Sequence, residues 1–129
     1  MRELKFRAYI KDLEDYGRVI SLLFGNKDEV ESALVEVMYS NGSIERLDVP
    51  KENLILEQYT GLMDKNGKEV YEKDILRFEN RLFEIGWNNH RAGFGFVPIK
   101  NCDFTMDFSL SKCEVIGNIH ENAELLIEE

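Results

Sequence analysis

Residues 58–76 have the sequence QYTGLMDKNGKEVYEKDIL, in which short apolar runs alternate with turn-forming residues. The DKNG segment at 64–67 is typical of a tight turn, because Asp and Asn bond their own backbone and Gly tolerates positive φ. Gly67 is thus free to take the left-handed conformation that connects Leu62 to Val70. The stretch predicts short strands joined by turns, with its polar residues serving the backbone conformation.

The N-terminal residues alternate between apolar and polar side chains. Every second position from 4 to 10 is apolar, which is the period of a strand with one buried face. A second apolar run, from Val19 to Phe24, ends at the turn pair Gly25-Asn26. Both segments are therefore predicted to be strands.

Residues 26–49 allow two interpretations. The first four, NKDE, have the spacing of a helical capping box, and apolar side chains follow at helical intervals. However, the segments LVEVMY and SIERLDV lie on either side of Asn41-Gly42, which is the strongest short-range signal for a hairpin. We predict the hairpin, with at most one helical turn around residues 28–32.

The downstream residues continue this pattern of short apolar segments and turns. Pro98 lacks a backbone N–H, so the strand that contains it is expected at the edge of a sheet. The remaining predicted elements are strands at residues 75–78, 82–87, 94–97 and 115–119 and one closing helical turn at residues 122–126.

These elements together predict a mainly β fold. Strands recur about every ten residues and are divided by Gly and Asn turns, which is typical of small bent sheets or of SH3-like, pseudo-barrel units with at most short helical turns. A boundary near Pro50 predicts two units, an N-terminal β unit at residues 1–53 and a barrel-like unit at residues 54–129. We expect the two to pack closely enough to count as one domain.

Acidic side chains are concentrated near the C-terminus. The formal net charge is −9, and a strongly acidic segment repels a phosphate backbone, so direct nucleic-acid binding is disfavoured. Two interpretations remain: a solvated face that keeps the protein soluble, or an acidic nucleic-acid mimic that occupies a basic DNA-binding protein. Within residues 101–129 the only Lys or Arg residue is Lys112, whereas the acidic residues are Asp103, Asp107, Glu114, Glu121, Glu124, Glu128 and Glu129.

The sequence carries no signal for a membrane. Its N-terminus lacks the apolar run of a secretory signal, and no window approaches the ~18 apolar residues of a membrane span. We therefore expect a cytoplasmic protein without a membrane partner. Cys102 and Cys113 should then be free thiols, because cytoplasmic proteins rarely keep disulfides.

Motifs for catalysis or metal binding are missing from the sequence. It contains no HExxH, no GxSxG and no glycine-rich phosphate loop, and Cys113 with His120 would act as nucleophile and base only if the fold brought them together. An alternative is a metal-assisted hydrolase, but the spacing of its carboxylates is not that of a calcium loop. We predict no catalytic residue, no metal and no cofactor. The carboxylates concerned are Asp64, Glu69, Glu72 and Asp74.

The best candidate for a functional surface is the segment from Trp87 to Phe96. It combines aromatic, Arg and His side chains, which are common in contact surfaces, with Gly and Ala positions that permit mobility. The simpler interpretation is that its aromatic residues belong to the core. If the segment binds a partner or a second copy of the chain, the predicted interaction residues are Trp87, His90, Arg91 and Phe94.

Three blocks of the sequence resemble the YopX family of phage and prophage proteins. They are Phe6-Arg7-Ala8, residues 58–76, and the segment EVIGNIHENAELL at residues 114–126. A lysine stands at position 73, where the family usually has Gly, and lysine adopts positive φ less readily than glycine. The other departures are Tyr9 in place of Trp, His120 in place of an aromatic residue and Ala123 in place of Pro.

The resemblance implies a mostly β fold of phage origin that could form oligomers in the cytoplasm of the bacterial host. It implies no catalytic residue. We therefore expect a phage or prophage accessory protein of unknown function that is not an enzyme and that acts through contacts with a partner protein or with further copies of itself.

Overall fold

The computed structural model describes residues 4–88, 92–102 and 109–126. Contacts divide these residues into two compact units. Lys5–Gln58 forms the first unit, and Leu4 with the described residues from Tyr59 onward forms the second. The predicted division into closely packed units at residues 1–53 and 54–129 stays a prediction.

The first unit is an antiparallel sheet built from five consecutive strands. They are β1 (Phe6–Ile10), β2 (Asp15–Phe24), β3 (Val30–Met38), β4 (Ile44–Pro50) and β5 (Leu54–Met63), with a 3₁₀ turn at Lys51–Asn53 before the last strand. Their order across the sheet is β4-β3-β2-β1-β5. The last residues of β5 belong to the second unit.

One face of this sheet forms the core of the first unit. In β3, Ala33, Val35 and Val37 are buried at every second position, as expected of a strand with one buried face. Residues 28–32 contain no helical turn, because Val30 already pairs with Phe24 of β2 and the period of burial is two. The buried core residues are Ala8, Ile10, Ala33, Val35, Val37 and Val49.

The hairpin predicted at Asn41-Gly42 is confirmed. Gly42 has a φ of +87°, the left-handed conformation that favours glycine. Asn41 Oδ1 accepts a hydrogen bond from the backbone N–H of Ser43 at 2.9 Å. The turn therefore connects β3 and β4, which pair in register from Met38 and Ile44 onward.

The second unit contains the remaining strands. They are β6 (Glu69–Tyr71), β7 (Asp74–Phe78), β8 (Arg81–Asn88), β9 (Gly93–Lys100) and β10 (Glu114–Asn118), with 3₁₀ turns at Leu110–Lys112 and Ala123–Leu126. β6 pairs with the end of β5, and the other four form an antiparallel sheet in the order β10-β7-β8-β9. Among the strands of the described residues, β9 therefore lies at an edge, as Pro98 predicts. The buried core residues are Val70, Leu76, Phe83, Ile85 and Cys113.

The predicted fold class, mainly β, is confirmed. Within the described residues, helical structure is limited to three short 3₁₀ turns. Of the two predicted architectures, small antiparallel sheets are the observed one, because the outer strands of each sheet do not pair with each other to close a barrel. None of the described helices has the length and hydrophobicity that a membrane crossing requires.

Candidate functional site

The turn at residues 64–67 is organised by one buried carboxylate. Asp64 Oδ1 accepts hydrogen bonds from the backbone N–H groups of Asn66 and Lys68, each at 2.9 Å. Asp64 Oδ2 accepts a third from the backbone N–H of Val115 in β10, also at 2.9 Å. Asp64 therefore closes its own turn, as predicted, and also joins this turn to a strand far along the sequence.

Two opposing effects act on the pKa of Asp64. Burial raises it, because a charged carboxylate loses contact with water. The backbone N–H groups of Val115, Lys68 and Asn66 and the positive charge of Lys68 lower it by more, so the pKa lies below its ordinary value. The carboxylate is therefore ionised at neutral pH, and both of its oxygens are engaged with the backbone.

The other carboxylates of the alternative metal site serve a different part of the backbone or lie half-buried. Asp74 is buried, and its Oδ2 accepts a hydrogen bond from the backbone N–H of Tyr71 at 2.8 Å. Glu69 and Glu72 are half-buried. Among the residues that the structure describes, no group of three or more His, Cys, Asp or Glu side chains is arranged to hold a metal ion. A metal-assisted hydrolase finds no supporting geometry there.

The thiol of Cys113 is buried in the core of the second unit. Its S–H donates to the carbonyl oxygen of Ser109 at 3.3 Å. Burial, with a smaller contribution from the negative charge of Asp64, raises the pKa of Cys113 to about 11. A thiol with this pKa stays protonated at neutral pH and is a poor nucleophile. The burial and the raised pKa of the thiol therefore give no support to Cys113 and His120 as nucleophile and base.

Lys73 lies in the turn between β6 and β7 and has a φ of +70°. Its backbone N–H donates to the carbonyl oxygen of Ile85 at 2.8 Å, and its own carbonyl oxygen accepts from the N–H of Ile119 at 3.1 Å. These bonds hold the turn in place although lysine is less favourable than glycine in this conformation. The substitution at position 73 therefore keeps the turn and introduces backbone strain.

Trp87 and Phe94, two of the predicted interaction residues, face each other across β8 and β9. Their ring centroids are 5.1 Å apart and their planes meet at 82°, which is the edge-to-face arrangement that aromatic pairs favour. Phe94 packs against the core, whereas 46% of Trp87 is exposed. Trp87 is therefore only partly covered by the rest of the protein.

Phe96 extends this aromatic cluster along β9. Its ring meets that of Phe83 edge to face, with centroids 4.7 Å apart, yet 43% of the residue is exposed. A cavity of about 270 Å³ lies beside Phe94 and Phe96, and Leu62 and Leu110 contribute to its apolar walls. Together, Leu62, Trp87, Phe94, Phe96 and Leu110 form the apolar surface of the second unit.

A model of the family described as YopX protein matches residues 5–127. The chain belongs to the YopX family. The crystal structure of protein EF1440 from Enterococcus faecalis is similar to this YopX chain, with a TM-score of 0.69 and 25% sequence identity, and the similarity covers 98% of this chain and 100% of that one. No curated protein matches the sequence. The predicted resemblance is therefore confirmed, and neither description states an activity.

The predicted interaction residues of this YopX protein are not all in the described part of the chain. His90 and Arg91 lie outside it, so their role stays a prediction. Conversely, the sequence did not predict Leu62 and Leu110 as part of the apolar surface. No local signal could have grouped them, because they lie in different segments of the chain and only the fold brings them to the same cavity.

The acidic C-terminal part of the YopX chain is partly neutralised. Glu114 Oε2 lies 3.4 Å from Lys65 Nζ and 3.2 Å from Arg77 Nη2. Its charge is therefore not presented alone to a basic partner. Asp103 and Asp107 lie outside the described residues, and the nucleic-acid mimic stays a prediction.

The first YopX unit carries a charged row on the sheet face opposite its core. Glu36 forms ion pairs with Arg18 and Arg46 at 3.3 Å. Glu57 is 1% exposed, and its Oε1 accepts hydrogen bonds from Arg7 and from the hydroxyl of Tyr16, each at 2.9 Å. No local sequence signal predicts this row, because it depends on the register of all five strands. In the order of the strands across the sheet, the row is Arg46, Glu36, Arg18, Arg7 and Glu57.

Proposed function

We propose that this YopX protein is a non-enzymatic accessory protein of phage or prophage origin that acts by binding another protein chain through its apolar surface. The observation that carries the proposal is the partial exposure of Trp87 and Phe96 beside an apolar cavity. Exposed aromatic side chains next to a pocket are the usual anchors of protein contacts. A soluble protein gains from covering such a surface with a partner.

The residue types of the edge strand β9 also favour binding at this surface. Residues 93–99 (GFGFVPI) contain no charged side chain. Proteins usually protect an edge strand from pairing with other chains by placing charges or proline on it. β9 has Pro98 and, as its last residue, Lys100, whereas β4, an edge strand of the first unit, carries Glu45, Arg46 and Asp48 as well as Pro50. The contrast favours β9 as the strand to which another chain adds.

The first occupant that we propose for this surface is a second copy of the chain. Each copy has a formal net charge of −9, so two copies repel one another over most of their surfaces. An antiparallel pair of β9 strands through residues 93–99 would bring uncharged residues together, and a twofold arrangement would cover both edges at once. A foreign protein partner is the competing outcome.

Light scattering over a range of concentrations tests this proposal. Val97 is 47% exposed and lies on the face of β9 opposite Phe94 and Phe96, so a substitution there tests the contact between β9 strands and leaves the apolar surface itself in place. Val97 pairs with Glu84, so a lysine there would find an opposite charge and the fold should tolerate it. We expect Val97→Lys to abolish the self-association of the wild-type protein. The matched control is Ile44→Lys, at a 56% exposed position on β4, which should leave self-association unchanged.

A wild-type protein that stays monomeric at every concentration would overturn the second copy as the occupant. Equal loss of self-association in both variants would also contradict the proposal, because the contact would then not depend on β9.

A further inference from the structure

We infer that Asp64 is a positioning residue for the apolar surface, and that it fixes the wall of the cavity formed by Ser109 and Leu110. This inference rests on the proposed function, because it assigns a role in binding to a residue that contacts no partner itself. In this inference the DKNG turn fixes the cavity wall in addition to reversing the direction of the chain.

The first step is the connection between the turn and the segment before β10. Asp64 Oδ2 accepts a hydrogen bond from the N–H of Val115 at 2.9 Å, and the N–H of Lys65 donates to the carbonyl oxygen of Cys113 at 2.9 Å. Two successive residues of the turn thus hold both ends of residues 113–115. A carboxylate that accepts backbone N–H groups forms stronger hydrogen bonds than a neutral acceptor.

The second step leads from Cys113 to the cavity. The N–H of Cys113 donates to the carbonyl oxygen of Leu110 at 3.0 Å, and its S–H donates to that of Ser109 at 3.3 Å. The N–H of Lys112 also donates to Ser109, at 3.0 Å. Residues 109–113 are therefore one hydrogen-bonded turn that is attached to the DKNG turn by Lys65 at its last residue, Cys113, and by Asp64 two residues further on, at Val115.

The third step is the position of this turn in the apolar surface. Ser109 and Leu110 line the cavity of about 270 Å³ together with Phe94 and Phe96 of β9. If the turn at residues 109–113 loses its attachment, Leu110 loses its fixed place against the two rings. A partner would then meet a surface that it must order on binding, which weakens affinity.

The test compares two variants of the same turn. Asp64→Asn keeps the shape of the side chain but replaces one acceptor oxygen with an NH₂ group, which cannot accept the N–H of Val115 while the remaining oxygen serves Asn66 and Lys68. Gly67→Ala is the matched control. It strains the turn, because Gly67 has a φ of +79°. It adds no clash, because no atom lies within 4 Å of the added methyl group, and it leaves the carboxylate in place.

Two measurements are made on each variant: amide hydrogen exchange across residues 109–115 and the dissociation constant for self-association, well below the unfolding temperature. We expect Asp64→Asn to speed exchange in this segment and to weaken self-association roughly tenfold, the loss of one charge-assisted hydrogen bond. Gly67→Ala should change neither quantity, although it lowers global stability.

Equal effects of the two variants would overturn the inference, because Asp64 would then act only through the stability of its turn. The inference also fails if Asp64→Asn leaves self-association unchanged while Val97→Lys abolishes it, an outcome that keeps the proposed function. A further outcome is that the wild-type protein stays monomeric and that hydrogen exchange in residues 109–115 becomes faster only in Asp64→Asn. This result would rule out the second copy as the occupant and would keep Asp64 as the residue that positions the cavity wall.

Discussion

At Lys73 the chain places a long side chain in a backbone conformation that glycine adopts more easily. Asp64 shows the opposite relation, because its short carboxylate suits the turn that it closes. Both residues lie in the segment from which the fold is recognised, and both act through backbone hydrogen bonds. At the scale of the residue, Lys73 and Asp64 therefore act through the conformation of the backbone, and substituting them should change the free energy of unfolding.

Replacing Lys73 with glycine should stabilise the protein. The substitution removes the strain of a positive φ, and we expect a gain of about 1 kcal/mol in the free energy of unfolding. The contact between Lys73 Nζ and Glu84 is long, at 3.8 Å, and partly exposed, so its loss should matter little. Urea denaturation measures the change. Lys73→Ala is the control, and an equal gain in that variant would contradict the role of φ.

The stability that Asp64 contributes should depend on pH. Its folded-state pKa lies below its ordinary value, so between the two values the unfolded chain binds more protons than the folded chain and acid destabilises the fold. The contribution should be complete above the unfolded pKa of about 4 and disappear as the pH falls through the folded pKa. The measurement is the difference in unfolding free energy between wild type and Asp64→Asn, which should shrink from neutral pH to about pH 3. A difference independent of pH would contradict this account.

At the scale of the element, close packing constrains the strands of the first sheet. Gly17 in β2 has no room for a side chain, because an added methyl group would meet the side chain of Val35 and lie 2.9 Å from the carbonyl oxygen of Glu36. Gly95 in β9 is the opposite case, since no atom lies within 4 Å of the same group. A comparison of alanine substitutions at the two glycines therefore separates the effect of packing from the effect of intrinsic strand preference.

Gly17→Ala should destabilise the protein by about 1–3 kcal/mol through this overpacking. Gly95→Ala should change the free energy of unfolding by less than about 0.5 kcal/mol. Thermal unfolding of both variants at low protein concentration provides the measurement. Similar losses in the two variants would show that the close approach at Gly17 is not the cause.

The elements that the sequence predicts are those with local signals. The hairpin at Asn41-Gly42 and the turn at residues 64–67 follow from residue types that favour positive φ or bond their own backbone. The edge position of β9 follows from Pro98. In the segment 26–32 a local capping signal was outweighed, because burial at alternate positions of β3 fixes an extended chain.

The features that escaped prediction depend on contacts between distant residues. The hydrogen bond from Val115 to Asp64 joins residues 51 positions apart, and no spacing rule indicates it. The burial of Glu57 likewise requires Arg7 and Tyr16 to arrive in register from two other strands. The sequence singles out Trp87 and Phe94 of the candidate surface, whereas Leu62 and Leu110, which complete it, come from other segments.

At the scale of the whole molecule, the net charge of −9 opposes any association between copies. An apolar contact through β9 would have to overcome this repulsion. We therefore expect self-association to strengthen when salt is raised from about 0.02 M to about 0.3 M, because salt screens the repulsion and leaves the apolar contact intact. Sedimentation measures the effect. Weaker association at higher salt would indicate a contact between opposite charges and would overturn the apolar one.

β5 supplies a strand to both units. Residues 54–58 pair with β1, and Tyr59 pairs with Tyr71 of β6. A fragment that ended at residue 53 would lack the β5 neighbour of β1 and the carboxylate of Glu57, which forms an ion pair with the guanidinium of Arg7. For anyone who expresses portions of this protein separately, or who inserts a cleavage site or a tag between its halves, a cut on either side of β5 leaves one half with an exposed, aggregation-prone flank.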